Sequence, residues 1–154
     1  MITVARIDER LIHGQVAFAW TTAYKSQAVM AIDDEIAKDA FQKSLLEMAC
    51  PSGLKCFVVG VDKAVELLKK YESKKIFIVT KHPSTYLSLV EKGIVLDKIN
   101  VGGIYFQEGR KQIAKTVYID EEMNQIFHKL HDAGIALEVR THPSDAGEDL
   151  MNSL

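Results

Sequence analysis

Close to the start of the chain, Arg6, Asp8, Arg10 and His13 lie in the run Arg6-Ile7-Asp8-Glu9-Arg10-Leu11-Ile12-His13-Gly14-Gln15-Val16. Arginine, carboxylate and imidazole at this spacing suit the handling of a phosphoryl group on a histidine. An attacking imidazole must be neutral, and cationic neighbours disfavour the imidazolium. Phosphoryl transfer asks mostly for positioning and charge neutralisation. Arg10 and Arg6 could give bidentate phosphate contacts without a metal, while Asp8 could orient the imidazole or an arginine. Gly14 would let the backbone approach an anion, and Gly14 and Gln15 would present N–H groups at a helix start. A histidine beside a turn is more often simply solvated, so spacing alone leaves the question open.

These residues need a strand before them and a helix after them. Ile2 and Val4 read as a strand, and Val16, Ala19, Trp20 and Ala23 fall at helical spacing. Strands are expected over 2–7, 27–32, 55–60, 75–80, 97–101, 115–119 and 135–140. Most are continuous apolar runs, such as Phe57-Val58-Val59 and Ile76-Phe77-Ile78-Val79. Such runs predict an α/β fold: a single-domain, open, mostly parallel sheet over residues 1–154 with helices on both faces. Ile36, Ala40, Phe41, Leu45 and Met48 make one helical stripe, and Met123, Ile126, Phe127 and Leu130 another. Asp34, Asp62, Ser84 and Asp120 read as N-caps and Gly134 as a C-terminal stop. Open sheets of this kind bind ligands beyond the carboxyl ends of their strands. That edge would gather His13 with Asp33 and Asp34, Thr80 to His82, Gly102 and Gly103, and Arg140 to His142. The glycine pair would let a backbone approach the phosphate.

Composition narrows the function class. The chain has 154 residues, 47% of them hydrophobic, and a net charge of -2, which gives no electrostatic footprint for nucleic acid. No segment has the apolar length of a membrane span and none reads as a signal peptide, so a cytoplasmic protein is expected. Cys50 and Cys56 lack a second ligand pair for zinc and are expected to be buried free thiols. No metal is expected at the paired aspartates, or at His128 and His131, which read as surface residues. His82-Pro83-Ser84 and His142-Pro143-Ser144 look like strand-to-helix punctuation, with His82 the second choice of phosphoryl acceptor. Trp20 and Phe18 are assigned to the core. Leu11 and Ile12 beside His13 would dock a partner if they face solvent; otherwise they pack under the loop.

The run RIDERLIHGQV closely resembles the phosphohistidine motif of IIB components in the mannose/fructose/sorbose family of the bacterial sugar phosphotransferase system. Similar to that family are also residues 32–39, Asn100-Val101-Gly102-Gly103 and Val139-Arg140-Thr141-His142-Pro143-Ser144. The resemblance implies a phosphoryl carrier that needs no cofactor. His13 would accept the group on Nδ1 from a phosphohistidine IIA partner, Arg10 would stabilise it in transit, and Asp8 matches the motif's aspartate. The group would pass to a sugar arriving through membrane subunits IIC and IID, which would hold the protein at the inner face of the cell membrane. Glu9 occupies a position taken as variable. A phosphate-binding module and a protein phosphorylated only as a signal are the rival classes. Neither the sugar, nor a homodimer, nor a part for His82 or Arg140 in the site can be read from the sequence.

Overall fold

The computed structural model describes residues 1–154. Its strands are β1 (Ile2–Ile7), β2 (Ala28–Ile32), β3 (Lys55–Val59), β4 (Ile76–Thr80), β5 (Lys98–Val101), β6 (Lys111–Ala114), β7 (Val117–Ile119), β8 (Ala136–Val139) and β9 (Glu148–Asp149). The helices are α1 (Gly14–Ala23), α2 (Asp34–Ala37), α3 (Ala40–Met48), α4 (Val61–Lys70), α5 (Pro83–Glu91) and α6 (Glu121–Asp132), with a 3₁₀ turn over Leu150–Ser153. Seven strands form one sheet in the order β3-β2-β4-β1-β5-β8-β9. All pairs are parallel except β8 with β9. Every residue of β2 and of β4 is buried, which is why these strands read as unbroken apolar runs rather than alternating ones.

Side chains leave β1 on alternate faces. Ala5 and Ile7 join the core under α4, α5 and α6, where Ala64, Leu67, Tyr86, Leu89, Met123, Phe127 and Leu130 are buried. Val4 joins the opposite core with Ala17 and Trp20 of α1, Ile36 of α2 and the loop residues Leu11 and Ile12. That second layer stops at β1. Beyond it, β5 and β8 turn polar side chains to the same face: Glu138 pairs with Lys98 at 3.3 Å and with Arg140 at 2.8 Å. An uncovered half-face would otherwise present an apolar patch to water. The open, mostly parallel, two-faced α/β sheet is thus the one expected, and its six principal parallel strands fall within a residue or two of the predicted ranges.

Several expectations are corrected. Residues 115–119 supply β7, but it pairs antiparallel with β6 in a separate ribbon and not in the main sheet. The 36–48 stripe is broken into α2 and α3 because Asp39 caps a new helix, accepting from the backbone N–H of Phe41 and Gln42. Only Ile36 of that stripe is buried; Phe41, Leu45 and Met48 are exposed. Exposure also corrects Phe18, whereas Trp20 is core. Cys50 and Cys56 are joined in a disulfide between the end of α3 and the start of β3, not free.

The caps shift as well. Asp120 caps α6 and Gly134 takes the left-handed conformation at its end, both as expected. Asp33, not Asp34, caps α2. Asp34 Oδ1 instead accepts from the N–H of Val61, 2.8 Å away, and so caps α4 from a distance. Asp62 lies inside the first turn of α4, and His82, not Ser84, caps α5. Replacing Asp34 with Ala should therefore destabilise the protein by about 1 kcal/mol in urea titration, although it removes no contact within its own helix.

Candidate functional site

Strand β1 lies where the sheet changes direction. β2 and β4 succeed it on one side and β5 on the other, and it is beyond the carboxyl end of a strand at such a switch point that open α/β sheets place their ligands. The backbone leaving β1 is fastened on both flanks: Asp8 N–H donates to the Thr80 carbonyl at 2.9 Å and Glu9 N–H to the Gly103 carbonyl at 2.8 Å. A turn follows in which Leu11 N–H donates to the Asp8 carbonyl at 2.9 Å. Asp8 Oδ1 accepts from Arg10 N–H at 3.0 Å, the Asx arrangement that lets a short carboxylate mimic a backbone turn. Leu11 then takes φ 57°, a conformation disfavoured for a bulky side chain. It is held there because both Leu11 and Ile12 are buried in the core beneath α1.

Asp8 is the hub of the site, and its side chain is only 1% exposed. Arg10 grips it with two prongs, Nε to Oδ1 and Nη2 to Oδ2, each at 3.2 Å. Arg6 Nη2 donates to Oδ2 at 3.5 Å from below, and His13 Nε2 faces the same oxygen at 3.4 Å. Burial alone would raise the Asp8 pKa. The hydrogen bonds from the Arg10 side chain and backbone, with the Arg6 and Arg10 charges, outweigh burial and hold it below the usual carboxylate value.

His13 is the N-cap of α1, yet its ring makes no cap hydrogen bond. The ring is turned to Asp8 by Nε2, which leaves Nδ1 as the free nitrogen. Burial lowers its pKa; Asp8 opposes this and Arg10 assists, with a net fall below the ordinary histidine value. The neutral imidazole is thus favoured more than in an ordinary histidine. Gly14 and Gln15 occupy the first two helical positions, exposed, where N–H groups have no carbonyl one turn back.

Arg6 is not a second phosphate arm as expected. It is 1% exposed, with its guanidinium carbon 5.0 Å from the centre of the Trp20 ring. Nη1 donates to Asn100 Oδ1 and to the Arg140 carbonyl, and Nη2 also reaches the Thr141 carbonyl. Arg6 therefore supports Asp8 from beneath and ties β1 to β5 and to the end of β8. The glycine pair serves these side chains, not a backbone approach to phosphate. A Cβ on Gly102 would overlap the Arg6 guanidinium, and one on Gly103 would lie 2.7 Å from the Tyr105 hydroxyl.

Leu11 and Ile12 do not face solvent, so their hydrophobicity belongs to folding and not to docking. Asp33 and Asp34 are occupied as caps. His82 and His142 share one arrangement: Nδ1 accepts from the N–H of Ser84 or Ser144, with the serine hydroxyl 2.8 or 2.7 Å away. Arg140 enters the site through its carbonyl, while its guanidinium pairs with Glu138. Sequence reasoning missed Tyr105, Arg110 and the role of Glu9. Glu9 Oε1 accepts from Tyr105 N–H at 2.6 Å and from Arg110 Nη1 at 2.9 Å. Glu9 was visible in the motif, but only the sheet order brings the loop of Tyr105 and Arg110 beside it.

The family model described as "PTS system sorbose subfamily IIB component" matches residues 2–154. The sorbose-specific EIIB component of Lacticaseibacillus casei is 37% identical, over 98% of this chain and 93% of its own. The mannose-specific EIIAB component of Escherichia coli (strain K12) is 36% identical over 99% of this chain, which spans 48% of that longer protein. The crystal structure of the IIBSor domain of the sorbose permease from Klebsiella pneumoniae superposes with a TM-score of 0.95 at 33% identity, covering 99% of this chain and 95% of that one.

Two stability outcomes follow from the site. Asp8→Asn leaves Arg6 and Arg10 without a buried counter-charge and should cost about 3 kcal/mol at pH 7. Because the native-state pKa of Asp8 is depressed, its contribution is complete above the unfolded value near 4 and fades as pH falls through the native value. The gap between wild type and variant in denaturant titrations should accordingly close in acid and not in alkali. Gly102→Ala should lose about 2 kcal/mol through overlap with Arg6, read as a lowered Tm.

Proposed function

Because the chain belongs to the sorbose subfamily of IIB components of the sugar phosphotransferase system, we propose that it carries a phosphoryl group on His13 as a single IIB domain over residues 1–154. The observation that carries this reading is the His13 ring held by Nε2 against a buried carboxylate, with Nδ1 left free at a helix N-terminus. The neutral imidazole keeps its proton on Nε2, towards Asp8, and its lone pair on Nδ1. In-line attack on a phosphohistidine of a IIA partner forms the Nδ1–P bond as the donor N–P bond breaks. Positive charge then grows on the ring, and Asp8 is already in place to balance it.

Arg10 commits Nε and Nη2 to Asp8, and its Nη1 meets the phosphoryl oxygens together with the N–H groups of Gly14 and Gln15. In the second transfer a hydroxyl of a sugar imported through IIC and IID attacks the phosphorus as the Nδ1–P bond breaks; the hydroxyl proton leaves to solvent, and the bond pair returns to Nδ1 of a neutral His13. The name of the E. coli relative, a mannose-specific EIIAB component, supports a IIA protein as donor. No helix is long and apolar enough to cross a membrane. We place the protein in the cytoplasm, held at the inner face of the membrane by its partners. Docking of IIA uses the exposed Phe18 and Phe106, in place of the buried Leu11 and Ile12.

The deciding experiment is incubation with phosphoenolpyruvate, the general phosphotransferase proteins and a matching IIA, followed by intact mass and phosphorus NMR. Wild type should gain one acid-labile phosphoryl group and His13→Gln none. Phosphate binding without covalent label on either would replace this reading with a phosphate-binding module. Nitrogen NMR of the His13 ring should give a titration midpoint below the value of about 6.5 for histidine in a short peptide, since the depressed pKa means protonation only in more acid solution. Phe18→Ala should raise KM for IIA severalfold and leave kcat unchanged.

A further inference from the structure

Tyr105 lies in the loop between β5 and β6, and its backbone is clamped from both sides. Its N–H donates to Glu9 Oε1, and its carbonyl accepts from Arg110 Nη1 at 2.9 Å. Arg110 Nη1 also donates to that same Glu9 oxygen. The side chains of Arg110 and Glu9 are only 9% and 17% exposed, so the clamp is shielded from screening in a way that surface pairs are not. With its backbone fixed, the ring folds back over Gly103, whose missing Cβ leaves the space it fills. The guanidinium carbon of Arg10 then stands 5.5 Å from the ring centroid, within cation–π range.

This stack answers a need that Asp8 alone does not meet. The Arg10 side chain is 47% exposed, and a solvated arginine has many rotamers to lose before it can hold a phosphoryl group. Asp8 fixes one edge of the guanidinium, and an aromatic face fixes its plane. The Tyr105 hydroxyl makes no hydrogen bond that this function requires. Resting on the carrier reading above, we infer that Tyr105 is a positioning residue whose ring, set by the Glu9–Arg110 clamp, holds Arg10 with its free Nη1 directed at the phosphoryl group on His13.

The test is the steady-state rate of phosphoryl acceptance from IIA by the full chain, with kcat and KM resolved. Tyr105→Phe should stay within about twofold of wild type, because it keeps the ring. Tyr105→Ala should lower kcat about tenfold, the scale of one partly desolvated cation–π contact, with KM for IIA and Tm little changed. Arg10→Lys should cost much less in the Tyr105→Ala background than in wild type, as coupled residues do. Glu9→Gln, which weakens the clamp and leaves the ring in place, should give an intermediate kcat. The inference is overturned by a normal kcat in Tyr105→Ala, by an equal loss in Tyr105→Phe, or by additive effects with Arg10. Should Tyr105→Ala not fold, Tyr105→Leu takes its place, and the ring-current shift of the Arg10 Nε–H in wild type must vanish in it. A wild type that takes no phosphoryl group removes the carrier reading itself; label on wild type with a normal Tyr105→Ala removes only this inference.

Discussion

Everything at this site depends on one buried carboxylate. Asp8 is almost wholly removed from water, a position that would ordinarily keep a carboxyl protonated. Two guanidiniums reverse that preference, and the resulting ionised oxygen pair fixes the ring of His13, one edge of the Arg10 guanidinium and the turn that joins them. Remove the charge and each of the three loses its reference point. Arg6 is the less visible half of this arrangement: it is buried with Asp8, so neither residue can be understood as a surface ion pair of small value.

The sheet makes such burial possible. Strand β1 is central, flanked by β4 and β5, and the loops that follow all three close over its end. The adjoining Gly102 admits the Arg6 guanidinium, Asn100 accepts one of its N–H groups, and the carbonyls of Arg140 and Thr141 take others. Polar side chains continue outward along the uncovered face of β5 and β8. The face that lacks a helix is therefore the one that feeds hydrogen-bond acceptors to the buried arginine, and a helix layer there would have displaced them.

The framework was legible in the sequence because parallel strands buried on both faces leave continuous apolar runs, as in β2 and β4. The motif was legible because Arg10, Asp8 and His13 interact locally within one turn. What escaped is non-local. Arg6 reads as a free cation until Asn100 and Arg140 are brought beside it, and the burial of Leu11 and Ile12 depends on α1 folding over them. The stripe of Phe41, Leu45 and Met48 has helical spacing, but spacing does not say whether a face meets the core or water. Tyr105 and Arg110 carry no local signal at all, since their meaning comes from Glu9, far away in sequence. The Cys50–Cys56 pair was misread because its pairing follows from the geometry joining α3 to β3, which sequence separation does not reveal.

The crossed strand order has a consequence for how the site comes into being. His13, Arg10 and Asp8 precede β4, β5 and β8 in the chain, yet β1 pairs with β4 and β5, and Arg6 is completed only by the carbonyls of Arg140 and Thr141. Contacts this distant along the chain form late in folding. During synthesis His13 thus leaves the ribosome well before β8, and a chain stopped short of β8 would hold it beside an Arg6 that lacks the Arg140 and Thr141 carbonyls. The surroundings of His13 are thereby coupled to completion of nearly the whole fold, from β1 to the end of β8.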